Sequence, residues 1–92
     1  MEKSYNGRVK AYNATRAHIA QHPEICEGVP YIVNSRVSVL DIYEAYQLLG
    51  VTPEDIMEHF SLTPVQVFSA LTFIHEFAED VERAYERRRA VG

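Results

Sequence analysis

The longest uninterrupted helical pattern in the chain runs from Thr63 to Arg89, and it constrains the fold more than any other stretch. It begins with Thr-Pro-Val-Gln, in which threonine is a good N-cap, proline suits the first helical position and Gln66 closes a capping box. Apolar residues then recur at spacings of three and four, which predicts one buried stripe along a single long helix. The members of this stripe are Val67, Leu71, Ile74, Ala78, Val81 and Tyr85.

A second apolar face on the first half of this helix predicts self-association. Its members are Phe68, Ala70, Phe73 and Phe77. A small domain that packs against one side of the helix leaves this face uncovered, and two exposed phenylalanines make an unusual monomer surface. We therefore expect Phe73 and Phe77 to lie in the interface of a homodimer.

The length of 92 residues suffices for one domain with a modest core. No apolar run approaches the ~18 residues of a membrane-spanning helix, and the N-terminus lacks the pattern of a signal peptide. The single cysteine, Cys26, excludes an internal disulfide framework and is typical of a reducing compartment. We divide the chain into an N-terminal arm, 1–15, and one domain, 16–92, and expect a cytoplasmic protein with no membrane partner.

The formal net charge of −4 is unevenly distributed along the chain. Residues 1–20 contain four basic residues and one acidic residue, and residues 83–92 have the same balance. Residues 21–82 contain eleven acidic residues against Arg36 alone, so basic ends flank an acidic centre and a polyanion meets the ends first. The candidate nucleic-acid contacts at the N-terminal end are Lys3, Arg8, Lys10 and Arg16.

Turn residues in the first half of the domain predict a small β-ribbon. A short strand is expected at Arg16–Ala20 and another at Tyr31–Val33. Asn34 and Ser35 then favour a turn, because asparagine tolerates positive φ better than most residues. Arg36 and Val37 return the chain, which predicts a hairpin.

N-cap residues then predict three helices, which begin after Ser38, Thr52 and Thr63. Gly50 ends the first of them, and the predicted inner stripe of that helix is Val39, Ile42, Tyr43, Tyr46 and Leu49. The predicted fold class is therefore mainly α. It consists of a trihelical helix-turn-helix unit, homeodomain-like or winged-helix-like, with a β-ribbon before it and a long C-terminal helix. A plain helical bundle has the same periodicity, and periodicity alone does not separate the two.

Four motifs occur in an order that resembles one known family. They are Pro-x-x-Cys-Glu-Gly-x-Pro-x-Ile at 23–32, Asn-Ser-Arg-Val-x-Val-x-x-Ile at 34–42, Gly-Val-Thr-Pro-Glu-Asp-Ile at 50–56 and Leu-Thr-Pro-Val-Gln-Val at 62–67. The segment from Ile19 to Glu79 resembles domain of unknown function family 433. This resemblance implies a homeodomain-like fold and an antitoxin role beside a nuclease toxin of the PIN class.

The chain departs from the family pattern in its loops. Glu27 stands where the family has the first glycine of a Gly-Gly pair, and Asn34-Ser35 stands where it has Gly-Thr. The second substitution keeps the turn geometry available, because asparagine and glycine are the residues that most readily adopt positive φ.

Candidate reactive groups in the chain have simpler structural explanations. His22 and Cys26 provide two potential metal ligands in one loop, whereas a zinc site uses at least three from the protein. The adjacent carboxylates Glu54-Asp55 and Glu79-Asp80 point to different sides of their helices. We therefore expect no catalytic, cofactor-binding or metal-binding residues, and a protein that is not an enzyme.

The third helix lacks the residues that read DNA bases. A recognition helix places Arg, Lys, Asn or Gln in the major groove, but Pro64–Ile74 offers Gln66, Ser69 and Thr72 without any basic residue. DNA remains possible as a partner through the basic arm, in which case binding is weak, non-specific and sensitive to salt.

Arginines are the candidate contacts to a protein partner: Arg36 near the hairpin and Arg87, Arg88 and Arg89 at the C-terminal end. PIN-like nucleases hold their metal with clustered carboxylates, and guanidinium groups bind carboxylates in pairs of hydrogen bonds. The alternative for the C-terminal group is stabilisation of the helix dipole. For Arg36 it is an ion pair, or hydrogen bonds to carbonyls of residues 24–30.

These observations leave three functional hypotheses. The principal one is an antitoxin-like homodimer that binds and neutralises a PIN-like nuclease toxin of a type II toxin–antitoxin pair. The second is a transcriptional regulator that binds DNA through basic arms, and the third is a dimerisation module without another partner.

Overall fold

The structure is a computed structural model, and it describes residues 18–91. The arm at 1–15 lies outside this range, and so do the candidate nucleic-acid contacts Lys3, Arg8, Lys10 and Arg16. The elements of the described segment are β1 (Ile19–Ala20), a turn of 3₁₀ helix (Cys26–Gly28), β2 (Tyr31–Ile32), α1 (Val39–Tyr43), a π-helical segment (Glu44–Leu48), α2 (Pro53–Phe60), α3 (Pro64–Glu76) and α4 (Ala78–Val91). A mainly α fold with a small β-ribbon and a long C-terminal helix is thereby confirmed.

The β-ribbon pairs two strands that are separated by a loop. β1 and β2 are antiparallel, with Ile19 opposite Ile32 and Ala20 opposite Tyr31. The predicted hairpin forms only in part: one bridge joins Tyr31 to Ser38, and Asn34 has the expected positive φ of 67°. β1 is therefore the main partner of β2, and the return strand reduces to one bridge.

Side-chain caps start α1, α2 and α3 as predicted. Ser38 Oγ accepts the Asp41 backbone N–H at 3.1 Å, and Asp41 Oδ2 accepts the Ser38 N–H at 3.0 Å. Thr52 Oγ1 accepts the Asp55 N–H at 3.2 Å. The capping box of α3 is complete, with Gln66 N–H donated to Thr63 Oγ1 and Thr63 N–H donated to Gln66 Oε1. Each cap contributes about 1 kcal/mol.

The π-helical segment Glu44–Leu48, which continues from α1, is wider than an α-helix. The Leu49 N–H donates to the Glu44 carbonyl, five residues back, at 3.0 Å, and Gly50 then ends the helix with a φ of 72°. Because a π turn holds more residues than an α turn, it changes which side chains face the core. The prediction that Tyr46 and Leu49 lie on the inner stripe is wrong, since both are exposed together with Leu48.

The predicted continuous helix from Thr63 to Arg89 is divided into α3 and α4. Phe77 breaks it with φ −117° and ψ 43°, although its N–H still donates to the Phe73 carbonyl at 2.9 Å. The break redirects the chain, so α4 turns Val81 and Tyr85 into the core and leaves Ala78 exposed.

The same break explains why the dimer-interface interpretation starts from a wrong premise. Phe73 is fully buried and Phe77 is 2% exposed, with their ring centroids 4.7 Å apart. Both apolar faces of the predicted helix therefore contribute to one monomer core. That core consists of Ile19, Ile32, Val39, Leu40, Ile42, Ile56, Leu62, Val67, Ala70, Phe73, Ile74, Phe77, Val81, Ala84 and Tyr85.

Among the described helices, none combines the length and the apolar character that a membrane span requires.

Candidate protein-binding surface

The outer face of α3 is apolar where a DNA-reading helix is polar. Val65 and Phe68 are 54% and 49% exposed, and they lie three residues apart on the same side of the helix. No lysine or arginine occurs between Pro64 and Glu76. The spacing of apolar residues assigned Phe68 to the second apolar face. Val65 lies next to the helix start, and nothing in the sequence distinguishes it from a core residue.

The polar side chains of α3 are mostly engaged within the domain. Gln66 Nε2 donates to the Val33 carbonyl at 3.1 Å, while its Oε1 completes the α3 capping box. Ser69 is buried, and Thr72 is exposed. Of the three candidate base contacts on this helix, Thr72 is thus the one whose side chain faces solvent.

The C-terminal arginines differ in their surroundings. Arg88 Nη1 lies 3.2 Å from Asp41 Oδ1, and its guanidinium carbon lies 5.6 Å from the centre of the Tyr85 ring. Arg87 and Arg89 are exposed. Arg88 therefore contributes to the packing of α4 on α1, and Arg87 and Arg89 are the members of this group that present cations to solvent.

Tyr85 is the second residue that joins α4 to α1. Its hydroxyl donates to Glu44 Oε2 at 3.0 Å, and its ring lies 5.3 Å from that of Tyr43. The hydrogen bond to the Glu44 carboxylate raises the pKa of the Tyr85 hydroxyl, because it stabilises the protonated phenol, and burial acts in the same direction. The end of α4 is consequently part of the folded domain.

Arg36 is exposed. Within residues 18–91 its side chain forms neither an ion pair nor a hydrogen bond to the carbonyls of residues 24–30. Its contribution to the loop is instead a backbone one, since Cys26 Sγ donates to the Arg36 carbonyl at 3.3 Å. The guanidinium group is therefore a further exposed cation, distant from Arg87 and Arg89 in sequence.

The loop between the strands has a structural explanation for its polar residues. His22 Nδ1 accepts the Glu24 N–H at 3.1 Å, and Cys26 is partly buried, which raises the pKa of its thiol. Cys26, Glu27 and Gly28 all have positive φ, so Glu27 adopts the backbone conformation that favours the glycine expected there. The described residues contain no group of three side chains arranged to hold a metal ion.

Comparison with known proteins identifies the family. The sequence model of the protein family of unknown function DUF433 matches residues 19–74. Because this match covers more than half of the chain, the protein belongs to the DUF433 family. The match ends within α3, so α4 and its arginines lie beyond it. Neither a curated protein nor a solved structure matches the chain.

Proposed function

We propose that the chain is an antitoxin-like protein that binds and neutralises a PIN-like nuclease toxin of a type II toxin–antitoxin pair. The observation that carries this proposal is the outer face of α3, where Val65 and Phe68 are exposed and no cation is present. In a helix-turn-helix protein this face would enter the major groove, which requires polar and basic side chains. An apolar face there favours a protein partner.

The proposal treats α1–α3 as a helix-turn-helix-like unit that has exchanged DNA reading for protein binding. Exposed aromatic residues surrounded by polar ones are typical anchors of protein interfaces. The acidic centre of the chain adds a further argument, because specific DNA binding depends on neutralised phosphates. A homodimer remains part of the proposal, with an interface formed by surface residues other than Phe73 and Phe77.

Phe68→Asp is expected to abolish neutralisation of the nuclease encoded next to this gene. Because Phe68 is about half exposed, the folded domain tolerates the carboxylate, whereas an apolar interface does not. We expect affinity to fall by at least ten-fold, or about 1.4 kcal/mol, measured by calorimetry together with growth rescue on co-expression. Leu48→Asp, which introduces the same group at a position of equal exposure in the π-helical segment, is the matched control.

The proposal fails if folded Phe68→Asp protein neutralises the nuclease as well as the wild type does. It also fails if the neighbouring product is not toxic and the wild type instead binds its own promoter. In that case salt-sensitive binding that disappears on removal of residues 1–16 would identify a regulator that uses its basic arm.

The exposed C-terminal arginines are expected to contact the acidic metal pocket of the nuclease, together with Arg36. Arg87→Gln combined with Arg89→Gln should weaken nuclease binding about ten-fold and leave the melting temperature nearly unchanged, because both residues are exposed. Arg88→Gln should instead lower the free energy of unfolding by about 0.2–1 kcal/mol, the range for a partly exposed ion pair.

Thermal unfolding and nuclease inhibition, measured on both variants, separate these roles. If the double variant inhibits the nuclease as well as the wild type does, the remaining role of Arg87 and Arg89 is to stabilise the helix dipole of α4. The charged contact to the nuclease would then be formed by Arg36 or by the N-terminal arm.

A further inference from the structure

A groove between α2 and the π-helical segment that follows α1 is lined by apolar side chains and by carboxylates, which are here called its acidic rim. Its volume is about 700 Å³, which is within the range of pockets that take several side chains of a ligand. Its apolar lining includes Leu49, Val51 and Phe60, and α2 contributes Asp55 and Glu58 together with His59. This groove is formed by residues other than the outer face of α3 and the C-terminal arginines.

The wide turn at the end of α1 places an exposed leucine in this groove. Leu49 is 70% exposed, and its N–H is held by the Glu44 carbonyl while the Val51 N–H is held by the Ala45 carbonyl at 2.9 Å. Residues in such π turns are frequently found at functional sites. Burial of a leucine of this exposure by a ligand is favourable by an amount that scales with the apolar area removed from water.

The acidic groups on the rim divide into two kinds. Asp41 and Glu44, on the α1 side, already bind Arg88 and the Tyr85 hydroxyl. Asp55 and Glu58 are exposed, and within the described residues neither forms an ion pair. Asp41 thus already binds a guanidinium of the same chain, whereas Asp55 and Glu58 pair with no lysine or arginine of residues 18–91.

We propose that this groove binds a basic amphipathic helix of a partner protein. Its apolar side chains contact Leu49, Val51 and Phe60, and its arginines or lysines pair with Asp55 and Glu58. A helix is the occupant that fits a cleft between two helices, because its apolar face presents side chains at intervals of about one turn. The negative rim repels a nucleic acid and attracts a cationic peptide, so charge complementarity selects the partner.

This inference does not depend on the identity of a nuclease partner, and a peptide tests it directly. The probe is a fluorescein-labelled helical peptide of about four turns, with leucines one turn apart and lysines and arginines beside them. Fluorescence anisotropy at low salt should show saturable binding to the wild type. Leu49→Ser should weaken it about ten-fold, and so should Asp55→Asn combined with Glu58→Gln.

Matched controls separate groove binding from general charge attraction. Glu79→Gln combined with Glu86→Gln removes the same charge from exposed positions of α4 and should change the affinity by less than about two-fold. A second peptide, with serines in place of the leucines, should bind at least about ten-fold more weakly than the first. Circular dichroism melting of each variant confirms that the domain is folded.

The inference is overturned if the wild type shows no saturable binding up to about 1 mM peptide. It is equally overturned if both pairs of charge substitutions weaken binding by the same factor, or if the serine peptide binds as tightly as the leucine peptide. If the wild type neutralises the nuclease but does not bind the peptide, the proposed function stands and only the proposal about the groove is wrong.

Discussion

Phe73→Ala is expected to lower the free energy of unfolding of this domain by about 3–5 kcal/mol. The side chain is fully buried and its ring contacts that of Phe77 in a tilted arrangement, so its removal leaves a cavity that the surrounding helices fill only in part. Small domains have a total free energy of unfolding of about 5–15 kcal/mol, so the variant is expected to lose a large part of its stability. Chemical denaturation followed by circular dichroism measures the change.

Phe68→Ala provides the matched control for this prediction, because it removes the same side chain from an exposed position of the same helix. It should change the free energy of unfolding by less than about 1 kcal/mol. A Phe73→Ala protein that melts like the wild type and only loses a dimer in light scattering would contradict the core position. That result would restore the interface predicted from the sequence.

Val81→Asp is expected to unfold the domain at neutral pH. Val81 is 1% exposed on α4, beyond the segment that the family model matches, and an unpaired carboxylate at such a position costs at least about 3 kcal/mol. Burial raises the pKa of the new carboxyl in the folded state above its unfolded value near 4. The penalty therefore applies fully at high pH, and it diminishes as the pH falls toward the unfolded pKa.

Val91→Asp tests whether this effect comes from burial. It introduces the same group on the same helix at a position that is 89% exposed, and it should leave the melting temperature nearly unchanged. If Val81→Asp melts like Val91→Asp at pH 7, α4 does not pack on the core and the domain ends with α3.

Local signals in the sequence predicted the helix starts well. Ser38, Thr52 and Thr63 cap α1, α2 and α3 as predicted, and Gln66 closes the predicted capping box of α3. Capping depends on side chains within three residues of each other, so it is readable from a short stretch of sequence. The positive φ of Asn34 was predictable for the same reason.

Features that depend on tertiary packing were not predictable in this way. The break at Phe77 occurs without a proline or a glycine, and only the assembled core determines that Phe73 and Phe77 are buried together with the first apolar stripe. The wide turn after Tyr43 changes which residues face outward, and a fixed helical period misplaces Tyr46 and Leu49 for that reason. As a result, the sequence indicated Phe68 but not Val65 on the outer face of α3, and it did not indicate the groove beside α2.

A single carboxylate links the first turn of α1 to the far end of the chain. Asp41 accepts the Ser38 N–H through Oδ2 and pairs with Arg88 through Oδ1, a contact between residues 47 positions apart. Once the cap has oriented this side chain, the entropy lost when Arg88 binds is smaller, so the two events are cooperative. Asp41→Ala should therefore lower the free energy of unfolding by more than Arg88→Gln does, because it removes the hydrogen bond to the Ser38 N–H as well as the ion pair. The first turn of α1 and the docking of α4 are in this sense coupled through one side chain.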